Sequence, residues 1–223
     1  MQALRAVLFD MDGTLVDSVP AHVAAWMRAL RACGAQLTYA AIHDQIGKGA
    51  DQLIPDLVGD DVAARCGDAA MRLHDHIYTR EFLPKLRLYP SVPPLFEALR
   101  RQGCRIAIAS SARRPELDRL VSQIPGGVDV LVCGEDVPRS KPDPALWRVA
   151  LARLAVPPNQ AMVVGDSPYD FVSARALGIV GAGVLTGGFT ADVLLRAGAR
   201  FVYEDLDTLR HHLGDWLPLP KAA

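Results

Sequence analysis

Two aspartates, Asp10 and Asp12, stand one residue apart directly after the apolar run 6–9 (AVLF). Such a run is typical of a buried strand, so both carboxylates would leave the strand at one place. Carboxylates this close repel each other in a poorly solvated cleft, and their charged forms need a cation. Gly13, which follows, has no Cβ and lets the chain turn tightly against a ligand.

Polar residues also follow three later apolar runs. Ser110 and Ser111 come after the second run, Lys141 lies in the segment after the third, and Asp166 and Asp170 come after the fourth. In a doubly wound sheet, ligands bind beyond the carboxyl ends of the strands. We therefore expect these side chains to lie at one edge of the sheet.

This set of side chains fits phosphoryl transfer. Asp10, Asp12 and Asp166 offer hard oxygen ligands without His or Cys partners, which suits Mg²⁺. Ser110 and the backbone N–H groups after it can donate to phosphate oxygens, and Lys141 supplies a point charge opposite them.

Short apolar runs alternate with helical periodicity along most of the chain. The predicted strands are 3–9, 104–109, 128–133, 161–164, 179–185 and a short 201–203. Near-continuous apolar strands separated by helices indicate a parallel sheet covered on both faces. The sequence thus predicts an α/β fold with a Rossmann-like, doubly wound core, and residues 217–223 (LPLPKAA) form a predicted frayed tail.

One region departs from this alternation. From Val19 to Leu83 we find no strand pattern, and apolar residues recur at helical spacing. We predict an all-helical insertion over 18–87, between the first strand and the rest of the sheet. The α/β domain would then comprise 1–17 and 88–223.

Composition excludes several classes of function. The chain has 223 residues, half of them hydrophobic, and a net charge of −1, so no basic excess supports nucleic-acid binding. No stretch approaches the ~20 apolar residues of a membrane span. The four cysteines form no CxxC pair and are predicted to be free thiols. We expect a cytoplasmic protein, with a monomer as the default.

Four segments together resemble the motifs of the haloacid dehalogenase-like superfamily. In the family's order, they are 10–18 (DMDGTLVDS), 109–111 (ASS), 140–144 (SKPDP) and 163–170 (VVGDSPYD), and the match spans about Leu4 to Leu185. The resemblance implies that Asp10 is the nucleophile, which forms an aspartyl-phosphate. Asp12 would protonate the leaving oxygen and then deprotonate the attacking water.

The resemblance also assigns the remaining ligands. Mg²⁺ would be held by Asp10, the Asp12 carbonyl and Asp166, with Asp170 supporting the site. The residues that would contact the phosphoryl group or shape its loop are Asp10, Gly13, Thr14, Ser110, Ser111 and Lys141. Among these, Lys141 would steady Asp10 and the phosphate charge, while Thr14 would orient the loop.

The helical insertion resembles the cap that members of this family place between motifs one and two. A cap would close over the site and contact the leaving part of the substrate. Within it, Lys48 lies in a Gly-flanked turn, 46–51 (IGKGAD), and is predicted to touch an anionic or polar substrate group. The alternative is that Lys48 is a solvated loop residue.

The function predicted first is a Mg²⁺-dependent phosphatase acting on a small phosphorylated metabolite. The resemblance argues against dehalogenases and enzymes that cleave carbon–phosphorus bonds, because such family members typically lack a second aspartate at the position of Asp12. An oxygen leaving group needs a proton donor, which Asp12 supplies. A β-phosphoglucomutase-like sugar-phosphate mutase is the second reading, although Lys48 stands where such mutases usually carry an arginine. A non-catalytic phosphate-binding regulator is the third, and it is disfavoured because no motif residue is lost.

The histidines and tryptophans carry less information. His74 and His76 are two residues apart and do not share a helix face, and no partner is evident for the other histidines. We interpret all six histidines as structural or surface residues. Trp26, Trp147 and Trp216 fall at helical positions and are predicted to be packing residues.

Overall fold

The computed structural model describes residues 4–215 and contains a six-stranded parallel sheet with the order β3-β2-β1-β4-β5-β6. The strands are β1 (Ala6–Phe9), β2 (Arg105–Ala109), β3 (Val130–Val132), β4 (Ala161–Gly165), β5 (Val180–Val184) and β6 (Ala199–Tyr203). Five predicted strands lie within two residues of these bounds. The predicted start of the first strand at residue 3, the predicted tail and Trp216 lie outside the described residues.

Both faces of the sheet are buried, which explains the near-continuous apolar strands. In β1, Val7 and Phe9 join one hydrophobic cluster, whereas Ala6 and Leu8 join a second cluster on the opposite face. All four residues are fully buried. Because successive side chains of a strand point to opposite faces, both layers of helices need apolar partners from this strand.

Helices cover the two faces and join the strands. They are α5 (Val92–Arg101), α6 (Arg114–Val121), α7 (Ala145–Leu154), α8 (Pro168–Arg175), α9 (Ala191–Ala197) and α10 (Leu206–His211). The predicted α/β, doubly wound fold is therefore confirmed. Among residues 4–215, no helix has both the length and the apolar character that crossing a bilayer requires.

A helical cap follows the first strand. It contains α1 (Val19–Ala32), α2 (Tyr39–His43), α3 (Ala50–Val58) and α4 (Asp60–Ile77), which continues into a π-helical turn at Tyr78–Phe82 and a 3-10 turn at Leu83–Lys85. The cap has a hydrophobic cluster of its own, in which Val23, Trp26 and Leu53 are buried. Other cap residues, among them Ala25 and Ile77, belong to a cluster of the sheet.

The two segments that connect cap and core run side by side. Val16 forms an isolated antiparallel bridge with Leu88, and the Tyr89 N–H donates to the Leu15 carbonyl over 2.9 Å. The domain boundaries predicted at 17/18 and 87/88 fall beside this crossing, and they remain a prediction.

Candidate active site

Lys141 forms the centre of a buried charge cluster at the carboxyl edge of the sheet. Its Nζ lies 2.6 Å from Asp10 Oδ1 and 2.8 Å from Asp170 Oδ1, and the Lys141 and Asp170 side chains are fully buried. Burial lowers the pKa of Lys141, but the charges of Asp10 and Asp170 outweigh it and raise that pKa. The ammonium therefore stays charged.

Three carboxylates of this edge could hold a metal ion. Oxygens of Asp10, Asp166 and Asp170 lie within 4.8 Å of one another, and all three residues are buried. Burial raises the pKa of Asp10 to about 7 against the effect of Lys141. Burial, followed by the charges of Asp10 and Asp170, also raises the pKa of Asp166. Three carboxylates against one ammonium leave two negative charges, which a divalent cation would offset.

Two glycines make room for Asp166. A Cβ on Gly187 would lie 1.8 Å from Asp166 Oδ2, and a Cβ on Gly13 would lie 2.3 Å from the same oxygen. The positive φ of Gly13, +77°, also favours glycine there. Thr14 Oγ1 donates to Asp166 Oδ1 over 2.6 Å. These contacts fix one carboxylate of the candidate metal site, and they suit the donor set expected for a hard divalent ion.

Asp170 has two roles at the start of α8. Its Oδ2 accepts from the backbone N–H and the hydroxyl of Ser167, which forms a capping box. Its Oδ1 pairs with Lys141 without hydrogen-bond geometry, and no described residue donates a hydrogen bond to it. The helix terminus therefore orients a carboxylate whose second oxygen can still accept a ligand.

Trp147 packs against the buried lysine. Lys141 Nζ lies 4.5 Å from the centroid of the Trp147 ring, and Trp147 Nε1 donates to Ser173 Oγ over 2.7 Å. Ser173 Oγ lies 2.9 Å from the carbonyl oxygen of Asp170, to which it can donate. The predicted packing residue thus also contributes an aromatic face to the cation of the site.

Asp12 makes contacts that the sequence interpretation missed. Its Oδ1 accepts from Ser18 Oγ over 2.6 Å and lies 3.1 Å from His22 Nε2. Burial raises the pKa of Asp12, but the charge and hydrogen bond of His22 outweigh that effect and lower it. Burial likewise lowers the pKa of His22, and Asp12 outweighs it and raises it. His22 is therefore a site residue. It lies four residues after Ser18, about one helical turn, and this spacing is the sequence feature that could have indicated that both contact Asp12.

His74 continues this contact into the cap. His74 Nε2 lies 3.2 Å from His22 Nδ1, and the His74 ring stacks on Trp26 with centroids 4.1 Å apart. Burial lowers the pKa of His74 to about 4. A neutral His74 thus stands behind a histidine that favours the charged form.

The two serines after β2 lie beside these acids. Ser110 Oγ accepts from the Ala112 N–H over 3.0 Å and lies 3.5 Å from Asp12 Oδ2. Ser111 Oγ is buried, and no described residue pairs with it. A loop with an unpaired hydroxyl next to the carboxylates is consistent with the predicted phosphate contacts of both serines.

A pocket of about 690 Å³ lies between the cap and this edge of the core. Asp10, Asp12 and Ser110 line its core side, and Lys48 lines its cap side. The Lys48 ammonium donates to Gln45 and Asp56, and it lies 4.7 Å from the centroid of the Tyr169 ring. The structure thus brings the predicted cap residue to the pocket, already paired with an acid of the cap.

Comparisons with known proteins agree with this geometry. The sequence model of the haloacid dehalogenase-like hydrolases matches residues 4–178. A phosphoglycolate phosphatase of Rhodospirillum rubrum is 31% identical, with 97% of this chain and 92% of that protein covered. A phosphoglycolate phosphatase of Vibrio cholerae is 28% identical, with 94% of this chain and 96% of that protein covered.

Solved structures are similar over nearly the whole chain. A hydrolase from Pseudomonas syringae has a TM-score of 0.87 and 31% identity, covering 96% of this chain and 99% of its own. A structure described as a candidate beta-phosphoglucomutase from Bacteroides vulgatus has a TM-score of 0.86 and 26% identity, covering 95% and 88%. The family motifs, the shared fold and the matched length agree, and the chain belongs to the haloacid dehalogenase-like hydrolase family.

Proposed function

We propose that this protein is a Mg²⁺-dependent phosphatase that hydrolyses a small phosphorylated metabolite through an aspartyl-phosphate. The observation that carries the proposal is the buried cluster of Asp10, Lys141, Asp166 and Asp170 at one end of a pocket that Asp12 also lines. It combines a nucleophile, a charge for phosphate oxygens, a candidate metal site and an acid–base group in one place.

The residues present fit a hard divalent cation. Asp10, Asp166 and Asp170 would hold it, and the Asp12 carbonyl is a predicted further ligand. Magnesium, when bound, would offset the repulsion between these carboxylates and an incoming phosphate.

In the first step, a carboxylate oxygen of Asp10 attacks phosphorus, and the bond from phosphorus to the leaving oxygen breaks. Asp12 gives a proton to that oxygen. In the second step, Asp12 takes a proton from water, the water oxygen attacks phosphorus, and the Asp10 carboxylate is released. Because the pKa of Asp12 is lowered and that of His22 is raised, the proton of this pair rests on His22. It would pass over 3.1 Å to Asp12 as Asp12 gives its proton to the leaving oxygen.

The relatives suggest the substrate. Those named phosphoglycolate phosphatase support a phosphomonoester with a small acidic leaving group. A sugar-phosphate mutase remains the second candidate, because candidate beta-phosphoglucomutases share the fold. The product separates the two functions: a mutase returns the phosphoryl group to a sugar, whereas a phosphatase releases inorganic phosphate. A monomeric state and a cytoplasmic location remain predictions.

The test is phosphate release by purified protein with Mg²⁺ from a panel of phosphomonoesters that includes phosphoglycolate and sugar phosphates. We expect release that stops when EDTA removes the metal and resumes when Mg²⁺ is restored. Isomerised sugar phosphate without free phosphate would instead establish the mutase. No turnover of any ester would contradict both enzymes.

A further inference from the structure

Four lysine and arginine side chains line the pocket, and two of them are already paired. Lys48 is bound to Asp56. Arg113 Nη1 lies 3.1 Å from Asp75, and its Nε lies 3.5 Å from Glu135. These two cations are matched by acids of the protein and leave no net positive charge for a ligand.

The other two cations are Arg72, on α4 of the cap, and Arg139, in the core segment before α7. Within residues 4–215, neither guanidinium has a hydrogen bond or an ion pair, and both residues are exposed. The pocket therefore carries one unpaired guanidinium from the cap and one from the core.

The acids that line the pocket form no ion pair with these two arginines among residues 4–215. Asp12 is paired with His22, and Asp75 is paired with Arg113 and His74. Glu135 is likewise held by Arg113. Glu116 is 7% exposed, and burial raises its pKa to about 7, which favours its neutral form. Asp51 also lines the pocket and accepts from the Ser140 backbone N–H. Within the described residues, no carboxylate lies within ion-pair distance of Arg72 or Arg139.

Cap and core are joined beside each of the two arginines. Asp51 of the cap accepts from the backbone N–H of Ser140, the residue after Arg139, over 3.1 Å. Arg72 is three residues before Asp75 on α4, so it lies about one turn from the Asp75–Arg113 bridge. Both arginines thus stand where the two walls of the pocket meet.

We propose that Arg72 and Arg139 bind a second anionic group, a carboxylate or a further phosphoryl group, at the leaving-group end of the substrate. Guanidinium groups match both anions through paired N–H donors, and an anion held from both walls would favour the closed cap. This inference rests on the proposed function, since it assumes that the phosphate to be cleaved lies at Asp10.

The test compares two phosphomonoesters of equal chain length. 3-Phosphoglycerate ends in a carboxylate, whereas glycerol 3-phosphate ends in an alcohol. We expect the wild type to favour the carboxylate in kcat/KM. Arg72→Ala and Arg139→Ala should each lower kcat/KM about fivefold for the carboxylate ester and leave the alcohol ester unchanged. Propane-1,3-diol bisphosphate, added as a third ester, shows which of the two anions is preferred.

Arg65→Ala is the matched control. Arg65 is exposed on the same helix, seven residues before Arg72, and it does not line the pocket. This variant should behave as the wild type with all three esters. An unchanged preference in the Arg72→Ala/Arg139→Ala double variant, or an equal loss in the control, would overturn the proposal.

Binding separates this inference from the proposed function. Calorimetric titration of each ester measures affinity without turnover when the proteins compared also carry Asp10→Asn. Tighter binding of the carboxylate ester, lost in the double variant, would support the anion site even if no ester were hydrolysed. Hydrolysis of the esters with equal affinity for all of them would uphold the phosphatase and reject the anion site.

Discussion

The catalytic edge of the core and the facing wall of the cap are built differently. In the core, Lys141 and Asp170 are fully buried, and the Asp10 side chain is only 4% exposed. In the cap, Lys48 is paired with an exposed aspartate, and Arg72 is exposed with no partner among residues 4–215. At the edge of the core, each charged side chain is held by oppositely charged side chains beside it. In the cap, the charged side chains extend from helices to the surface of the pocket.

This difference assigns the reaction to the core and substrate selectivity to the cap. Buried charges cost much free energy unless they are paired, so their positions are strongly determined and suit a reaction common to many substrates. Exposed cap residues cost little to exchange, and they can adapt the pocket to one leaving group. We therefore expect core substitutions to affect turnover, and cap substitutions to affect substrate preference or the stability of the cap.

The largest effect should follow from Asp10→Asn. This change keeps the size of the side chain but removes the nucleophilic carboxylate, so kcat should fall by about 10⁴-fold or more. Phosphate release measures the loss, and circular dichroism should show an intact fold. Retained activity would remove Asp10 from the nucleophile role. It would also contradict the assignment of turnover to the buried groups of the core.

A second test concerns the room that Gly187 leaves for Asp166. In Gly187→Ala, the new Cβ would lie 1.8 Å from Asp166 Oδ2 and displace this carboxylate. We expect Mg²⁺ affinity, measured by titration calorimetry, to weaken about 10–100-fold. Gly214→Ala is the control, because a Cβ there meets no atom of residues 4–215 within 4 Å. Equal affinities in both variants would show that Asp166 is not a ligand.

Trp147 tests whether the lysine depends on its aromatic support. Trp147→Leu removes the ring under Lys141 and should lower kcat about tenfold, with KM little changed. Trp147→Phe keeps an aromatic face and loses the bond to Ser173, so kcat should be largely retained and unfolding should cost about 1 kcal/mol less. Equal kcat values in the two variants would indicate that Trp147 contributes packing alone.

The smallest effect belongs to the cap and depends on pH. Burial lowers the pKa of His74 to about 4, from its usual 6.5. Between these values the unfolded chain binds more protons than the folded one, so the free energy of unfolding falls as pH falls. His74→Phe should flatten this dependence by up to about 3 kcal/mol between pH 7 and pH 4.

Urea unfolding at several pH values measures the slope for His74→Phe and for the exposed control His211→Phe. The control should keep the pH dependence of the wild type, because the side chain of His211 is 59% exposed. An unchanged slope in His74→Phe would mean that His74 binds protons equally in the folded and the unfolded chain.

The residues that follow strands were predictable for a simple reason. Asp10, Ser110 and Asp166 each come directly after an apolar run, and parallel strands align their carboxyl ends at one edge. Local pattern and tertiary position therefore coincide for these residues. His22 has no such signal, because it lies on a helix of the cap and reaches Asp12 only through the packing of α1.

The arginines of the pocket likewise could not be identified from the sequence. Arg65 and Arg72 have the same side chain on one helix, yet only Arg72 lines the pocket. Trp147 was predicted to pack in the core, and nothing in its sequence neighbourhood indicates which charged group it would cover. Such contacts depend on how helices are placed over the sheet, which local periodicity does not encode.

The sequence by itself determined the parallel sheet, the helical cap and the motif residues that belong to the family's chemistry. Apolar periodicity and the polar residues after each strand are sufficient for these, because both are local properties. Only the tertiary structure decided that Asp12 meets His22, that Trp147 lies under Lys141, and that Arg72 and Arg139 have no partner in the described part of the chain. Those facts depend on distances between residues far apart in the chain, and the packing of cap and core sets these distances.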